Sequence, residues 1–502
     1  VGVKTAVVGA GLGGLAAAVR LAAAGRQVRV YDGRPIVGGK AGELVLADEG
    51  RRWRFDTGPS LFTLPGVLDD LFAAAGRRRE DYVEIEPLDP ITRYWFADGT
   101  SLESSSDRRR FTAAMEEAGV ADGAELNAYL DYSRRIWEIT HSLFMERSLH
   151  EPADLLRDPD LWHSLARIGR IDAFRSMDAA HRRFFRDPRA RQLFDRYATY
   201  NGSNPYSVPA TLNIIPHVEY GIGGWAVKGG IAAIPRGLER LARELGVEFL
   251  LDEPVERILT EGRPRRAAGV RSASGDWIAD EVICNVDVTP AYHRLLDDPK
   301  APLARRYARL EPSSSGLVFF WAMASDYPEF GLHNILFSAD YRREFDDIFL
   351  RGRCPDEPTV YVNITSKVDR DDAPSPGENW FVLVNAPADA DQDWDAETER
   401  TRRAVLERIA AALGRDVGAD IVQESVLDPP TIADQTASHR GSLYGISSNS
   451  RSAAFLRHPN RSRRYRGLYF CGGSAHPGGG MPLAMLSGKI AADLAVRHGG
   501  SV

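Results

Sequence analysis

Residues Thr5 to Asp32 read TAVVGAGLGGLAAAVRLAAAGRQVRVYD, and the order of elements in this stretch decides the fold. A short apolar run, Thr5 to Val8, leads into Gly9-Ala10-Gly11-Leu12-Gly13-Gly14, the pattern G-x-G-x-x-G. The alanine- and leucine-rich stretch Leu15 to Ala24 predicts a helix. Val28-Arg29-Val30-Tyr31 predicts a second strand that ends at Asp32. Strand, glycine turn, helix, strand and acid, in that order, are the full context of a dinucleotide site. Gly9 allows the tight turn, Gly11 lets main chain approach a pyrophosphate, and Gly14 lets helix and strand pack closely. Leu12 and Gly13 belong to the same anion-binding turn. Asp32 is placed to accept hydrogen bonds from an adenosine ribose. A glycine turn with no nucleotide is the competing reading, and the complete context weighs against it.

The other end of the chain carries a second glycine cluster. Gly467 to Lys489 reads GLYFCGGSAHPGGGMPLAMLSGK: a short strand at Leu468-Tyr469-Phe470, then Gly472-Gly473, then Gly478 to Gly480 before a helix through Leu486 and Ile490. Glycine loses much backbone entropy on folding, so such density is expected where a ligand lies against the main chain. Gly473, Gly480 and Met481 are the contacts this loop offers, and the helix start behind it favours an electron-rich ligand edge. One ligand held near both ends of a 502-residue chain must be large. FAD and NAD share the first fingerprint, and that size argues for FAD.

Composition narrows the class. The length points to two domains or to a domain with a large insertion. At 43% apolar and 26% charged residues, the chain is ordinary globular protein in which disorder does not dominate. A net charge of -7 gives no support to a nucleic-acid partner. Cys284, Cys354 and Cys471 are far apart and lack metal-ligand spacing, as reduced thiols of a cytosolic protein would be. The first apolar run holds the fingerprint and is broken by Arg20, which is not the pattern of a secretory signal. Leu317 to Ala324, the longest strongly apolar stretch, is far short of the roughly 20 residues a spanning helix needs. The histidines at 141, 150, 163 and 181 form no ligand pattern, no serine sits in a G-x-S-x-G elbow, and no cysteine has an evident base. Metal-free chemistry supplied by a flavin is the expectation.

Three runs in order, DGRPIVGGKAG from Asp32, FDTGPS from Phe55 and CGGSAHPGGGMP from Cys471, resemble the bacterial phytoene desaturase family of FAD-dependent carotenoid desaturases. The resemblance spans the chain and implies an α/β, flavin amine-oxidase-like fold. Its Rossmann-type FAD-binding domain is accompanied by a discontinuous α+β substrate domain. The implied division is 1–85, 223–298 and 458–502 for the FAD-binding domain, 86–222 for a helical substrate- and membrane-facing insertion, and 299–457 for the substrate domain. It also implies that Gly39 and Lys40 approach the pyrophosphate, that Gly58, Pro59 and Ser60 approach the flavin side, and that Val255 supplies a backbone contact to adenine. Asn285-Val286-Asp287 is similar to the segment that ends this region in relatives. Two departures are Asp32, where the family usually has Glu, and Lys40, where it usually has Arg; charge is kept and the detail of contact changes. A solvated surface lysine is the competing reading of Lys40.

The reaction implied is hydride loss from carbon to flavin N5 with a proton leaving the neighbouring carbon. An apolar polyene has no polar handle, so tunnel shape and lining must select it. Phe319, Phe320, Trp321, Tyr361, Phe381 and Tyr444 are the lining candidates, each more readily read as ordinary core. His476, beside the flavin loop, is either an acid–base residue or a loop-fixing hydrogen-bonder. Leu126, Leu130, Ile136 and Trp137 share one helical face. Leu155 to Ile168, with Trp162, and the arginines at 451, 457, 461, 463, 464 and 466 suggest docking on an anionic membrane surface. The alternative is that Trp162 is core and the arginines form a solvated face. The expected location is the cytoplasm, peripheral to the inner face of the membrane.

The wording HPGGGMPLAMLSGK, with Gly441-Ser442-Leu443-Tyr444-Gly445 and Phe455-Leu456-Arg457, is similar to the 1-hydroxycarotenoid 3,4-desaturase branch. The expectation is 3,4-desaturation of a carotenoid end group bearing a tertiary hydroxyl. Phytoene desaturation to neurosporene or lycopene is the alternative. A carotenoid isomerase, a flavin amine oxidase and a non-enzymatic prenyl-binding chaperone are further readings of this architecture. Quinone and oxygen are both open as the electron acceptor.

Overall fold

The computed structural model describes residues 2–151, 167–455 and 457–499. The expected membrane-docking stretch around Trp162, and Leu456 in the branch signature, lie outside the described residues.

The nucleotide half is a parallel five-stranded sheet in the order Leu468–Phe470, Glu281–Cys284, Lys4–Val8, Gln27–Tyr31 and Glu248–Leu250. Strands covered on both faces are apolar on both faces, which is why Thr5 to Val8 and Leu468 to Phe470 read as short continuous apolar runs. Val7, Val30, Ile283 and Tyr469 face a core shared with the helices Leu12–Ala23, Ala233–Glu244 and Met481–His498. Ala6, Val8, Tyr31, Val282, Cys284 and Phe470 face the other way, onto the antiparallel sheet Val255–Glu261, Arg266–Ser272 and Gly275–Ile278. Chain from three distant segments therefore builds one layered sheet.

The second half is built on a seven-stranded sheet in the order Ile421–Leu427, Ser315–Met323, Glu378–Ala386, Val360–Ile364, His333–Leu336, Thr92–Trp95 and Ser101–Ser104. Its last two strands come from 86–222, the segment expected as a helical insertion. Asn334, Ile335 and Leu336 pair in parallel with Arg93, Tyr94 and Trp95. TRYW and SLES are too short to show alternation in sequence, and the neighbouring strand is what holds them extended. The helical expectation holds for Gly123–Phe144, capped by the Asp122 carboxylate on the Glu125 N–H at 2.8 Å. Leu126, Leu130 and Ile136 are buried on it, while Trp137 is half-buried and stacks on His141 at 5.0 Å.

One helix crossing ties the two ends of the chain together. A Cβ on Gly488 would stand 2.2 Å from the Gly13 carbonyl oxygen and 2.9 Å from the Ala16 Cβ. Only glycine lets the C-terminal helix lie this close to the first one.

Candidate functional site

A cavity of about 460 Å³ opens between the two sheets. Its nucleotide-side wall is main chain: Gly11 to Gly13, Gly38 to Ala41, Thr57 to Leu61, Gly472 to Ser474 and Gly479 to Pro482. Two helix starts face it, Leu12 and Met481. The first N–H groups of a helix have no partner within it, so both starts present free donors to an anionic or electron-rich ligand.

The fingerprint glycines divide into two tasks. Gly9 and Gly14 do not line the cavity. A Cβ on Gly14 would stand 2.0 Å from the Gly9 carbonyl oxygen, and Gly9 has φ +98°, so these two make the turn and its packing. Gly11, Leu12 and Gly13 line the wall. At the far loop Gly480 has φ +107° and no atom within 4 Å of where a Cβ would be, a cradle left open at the wall. Gly39, Gly58, Pro59, Ser60, Gly473 and Met481 line the same cavity. Glycine cradles at both helix starts fit FAD: the first would hold its pyrophosphate and the second its flavin.

Asp32 and Val255 lie off this wall but close to each other. Asp32 accepts from the Ala10 N–H at 2.6 Å and the Arg34 N–H at 2.9 Å, and its carbonyl accepts from the Glu253 N–H at 2.8 Å. They sit together beyond the ends of the Gln27–Tyr31 and Glu248–Leu250 strands, the side on which an adenosine end is expected.

Lys40 is no solvated surface lysine. It stands half-buried in the wall, and its ammonium donates to the carbonyls of Ser442 at 3.0 Å and Leu443 at 2.8 Å. Burial pushes its pKa down to about 8 against the opposing charge of Asp287. Two of its three N–H donors are thus committed to the loop that carries Tyr444. Asn285 also lines the cavity, a role its place in Asn285-Val286-Asp287 does not reveal from sequence. Its Nδ2 lies 2.8 Å from a Cβ position on Gly11, and its Oδ1 lies 2.6 Å from those on Gly13 and Gly472. One amide at the end of the Glu281–Cys284 strand therefore abuts both glycine loops.

His476 belongs to the loop's scaffold. It does not line the cavity; its Nε2 is 2.7 Å from the Arg147 carbonyl, and its N–H donates to the His458 carbonyl at 2.9 Å. Its own carbonyl accepts from Asn460 Nδ2 and Ser487 Oγ, both at 2.7 Å. Burial pushes its ring down to about 4, so it stays neutral. This geometry favours loop fixing over proton transfer.

The opposite wall comes from the seven-stranded sheet. Tyr361, Phe381 and Tyr444 line the cavity, but Phe319 and Trp321 do not. Along Ser315–Met323, Gly316 and Val318 face the cavity, while Leu317, Phe319 and Trp321 pack on the far face beneath Val405 and Ile409. Phe320 shares the Val318 side but packs with Phe55 and Phe381. Both faces are apolar, so alternation could not say which one borders the site.

Beside this apolar wall stands a polar group that the sequence did not reveal. Arg196 Nη2 donates to Tyr94 Oη at 2.7 Å and reaches Glu219 Oε1 at 3.5 Å, and Arg196 Nη1 donates to Tyr200 Oη at 3.2 Å. Tyr197 and Tyr200 donate to Glu219 at 2.9 and 2.5 Å. Arg196, Tyr200 and His333 line the cavity. Of the arginines expected on the surface, Arg457 alone is buried, while Arg451, Arg463, Arg464 and Arg466 are exposed. Arg457 is buried and donates to the carbonyls of Tyr444 at 2.9 Å and Gly473 at 3.4 Å and to Ser448 Oγ at 3.2 Å. Arg461 forks onto Glu151, and Arg464 pairs with Asp298. Among the described residues no group of His, Cys, Asp and Glu could hold a metal ion, and no helix is long and apolar enough to cross a membrane.

The fold and this glycine-walled site define an FAD-dependent oxidoreductase. Residues 12–496 match the family model described as flavin containing amine oxidoreductase, and the chain belongs to that family. It is similar to a 1-hydroxycarotenoid 3,4-desaturase of Flavobacterium sp. (strain P99-3), 40% identical over 98% of each chain. It is also similar to a zeta-carotene-forming phytoene desaturase of Myxococcus xanthus, 37% identical over 97% of this chain and 93% of that one. Among solved structures, an oxidoreductase from Methanosarcina mazei shares the fold with a TM-score of 0.63 at 18% identity, covering 98% of this chain and 100% of its own.

Proposed function

We propose that this protein is an FAD-dependent carotenoid desaturase that introduces the 3,4 double bond into a 1-hydroxycarotenoid. The observation that carries the reading is the two-sided cavity. Its main-chain wall suits FAD, and its facing wall of Val318, Phe381, Leu383, Leu427 and Ile432 suits a long apolar chain. Full-length similarity to the 1-hydroxycarotenoid 3,4-desaturase supports the choice of substrate. Bound there, FAD supplies the acceptor for a hydride leaving substrate carbon. The chain's own residues align the polyene against the glycine loops and keep water out of the reaction zone.

Phytoene desaturation is the second reading, favoured by the Myxococcus relative. Supplying purified holoenzyme in membranes with a 1-hydroxycarotene or with phytoene separates the two. A red-shifted product from the hydroxylated substrate supports the first reading, and conversion of phytoene alone refutes it. The two electrons carried by that hydride then pass to a quinone or to oxygen, which anaerobic turnover with added quinone distinguishes.

Such a substrate resides in a bilayer, so the protein is proposed to work in the cytoplasm against the inner face of the membrane. Phe174 supports this: it is 81% exposed, with the Arg451 guanidinium 4.8 Å above its ring, a pairing suited to a headgroup layer. Co-sedimentation with anionic liposomes at low salt tests it, and a protein left in the supernatant removes the idea.

A further inference from the structure

Among the side chains that line the cavity, three carry a buried polar atom with no hydrogen-bond partner: Arg196 Nε, His333 Nε2 and Tyr341 Oη. None of the three is on the nucleotide side. An unpartnered polar atom shut off from water costs about 1–3 kcal/mol, and three of them stand on side chains that line one cavity.

The tautomer of His333 is fixed by its neighbours. Asn363 Nδ2, oriented by donating to the Leu332 carbonyl at 3.1 Å, also donates to His333 Nδ1 at 3.2 Å. Tyr361 Oη stands 2.8 Å from the same nitrogen. An amide nitrogen can only donate, so Nδ1 is the acceptor and Nε2 carries the proton. His333 therefore presents a free N–H donor. Arg196 is an electrostatic neighbour of both His333 and Tyr341. Its positive charge is already answered by Glu219, and the Glu344 and Asp195 carboxyls stand near Tyr341, so the spare donors carry no net positive field. That balance suits an uncharged oxygen and not a carboxylate, which would bring an unmatched negative charge into a closed space.

We propose that His333 Nε2–H and Arg196 Nε–H, with the Tyr341 hydroxyl, form a recognition site for a neutral oxygen on the carotenoid end group. The site selects oxygen-bearing over all-hydrocarbon substrates. This rests on the reading that a carotenoid end enters the cavity. With an all-hydrocarbon end the donors stay unpaired, and that penalty is the source of discrimination. Tyr361 reaches from this site toward the nucleotide side: its hydroxyl stands 2.8 Å from His333 Nδ1, and it lines the cavity together with Ser60.

The test is the ratio of kcat/KM for a 1-hydroxycarotene over the same carotene without the hydroxyl. The ratio of dissociation constants, read from the visible absorption shift of the bound polyene, accompanies it. Wild-type holoenzyme should favour the hydroxylated substrate by about 10²-fold or more. His333→Asn keeps an acceptor near the Nδ1 position and removes the Nε2–H donor; it should lower both ratios about 10- to 100-fold. His333→Gln, whose amide places an N–H near Nε2, should restore most of the discrimination. Tyr341→Phe, which removes a single oxygen atom, is read by the same ratios and should lower them. A purely structural role would depress both substrates alike and leave the ratios in place, and that result overturns the proposal. Equal use of the two carotenes by wild type overturns it while the desaturase reading stands. Turnover and binding of neither overturns both.

Discussion

Replacing Gly488 by Ala tests whether the crossing of the first and last helices sets the geometry of the cofactor site. The added methyl would meet the Gly13 carbonyl oxygen at 2.2 Å, the Ala16 Cβ at 2.9 Å and the Ala17 nitrogen at 3.0 Å. Two of these are main-chain atoms that cannot swing aside, so the helices must part by about 0.8 Å to reach even a 3.0 Å contact with the carbonyl. Overpacking of this kind costs roughly 1–3 kcal/mol, and the backbone contacts place it at the upper end. Alanine's better helix propensity returns about 1 kcal/mol at most, leaving a net loss of about 2 kcal/mol. Function suffers more than stability, because Gly13 lines the cavity from one helix start and Met481 from the other. A shift approaching 1 Å between them is expected to cost roughly 10²-fold in turnover. The assay is flavin content of the purified protein from its visible absorption, with the melting temperature and turnover measured alongside. Gly66→Ala is the control: that glycine is exposed in the helix Pro65–Ala74, has nothing within 4 Å of its Cβ position, and should be neutral or slightly stabilising. Full flavin content, unchanged melting and normal turnover in Gly488→Ala would refute the reasoning.

Three further outcomes are expected. His476→Gln should keep kcat within about twofold and lose about 1 kcal/mol of stability, since an amide can still donate to the Arg147 carbonyl; a loss of several orders in kcat with flavin retained would restore His476 as an acid–base residue. Arg457→Lys should lose about 2–3 kcal/mol and part of its flavin, because one ammonium cannot span the Tyr444 and Gly473 carbonyls and Ser448, and thermal melting with flavin release reads this out. His458→Phe should flatten the acid dependence of stability. Burial pushes the His458 ring down to about 3, so between pH 6.5 and 3 the unfolded chain binds a proton that the folded one refuses, and wild type loses about 1.4 kcal/mol per pH unit on acidification through this residue. His333 and His476 act in the same direction, at about 3 and 4. Asp56, Asp195 and Glu344, pushed up by burial to about 6, 6 and 7, act in the opposite one. All are common to both proteins, so the difference between their urea midpoints across pH 6 to 4 isolates His458, and parallel curves would contradict the assignment.

The nucleotide half of the fold was legible because its signals are local. Thr5 to Val8 and Leu468 to Phe470 are short apolar runs that match strands buried on both faces, and each leads into glycines at a helix start. What the sequence could not separate was the work of similar glycines. Gly14 packs on a carbonyl while Gly13, its neighbour, lines the cavity. Gly488 reads as a branch signature, yet its reason is a partner far away in sequence, the Gly13 carbonyl. The run RSAAFLRHPNRSRRYR from Arg451 looks like one basic face, but Arg457 turns inward because Tyr444 and Gly473 place unpaired carbonyls there.

The substrate side was illegible for a physical reason that differs from noise. A diphosphate is held by backbone N–H groups at helix starts, and a backbone can approach a ligand only where the local residues are small, so the requirement is written as glycine spacing. A polyene is held by side chains projecting from separate strands, and nothing about Val318, Tyr361 or Phe381 marks them locally as other than core. The polar group follows the same rule. Arg196 comes from the helical segment, His333 from a strand in the second half, and Tyr341 from a helical turn beyond it. Their meaning arises only when the sheet joins Thr92–Trp95 to His333–Leu336 and the three come to line one cavity. Cofactor identity is therefore readable from spacing, whereas substrate identity depends on which donors are left unpaired after folding, and discrimination between hydroxylated and hydrocarbon ends is the property on which that difference can be measured.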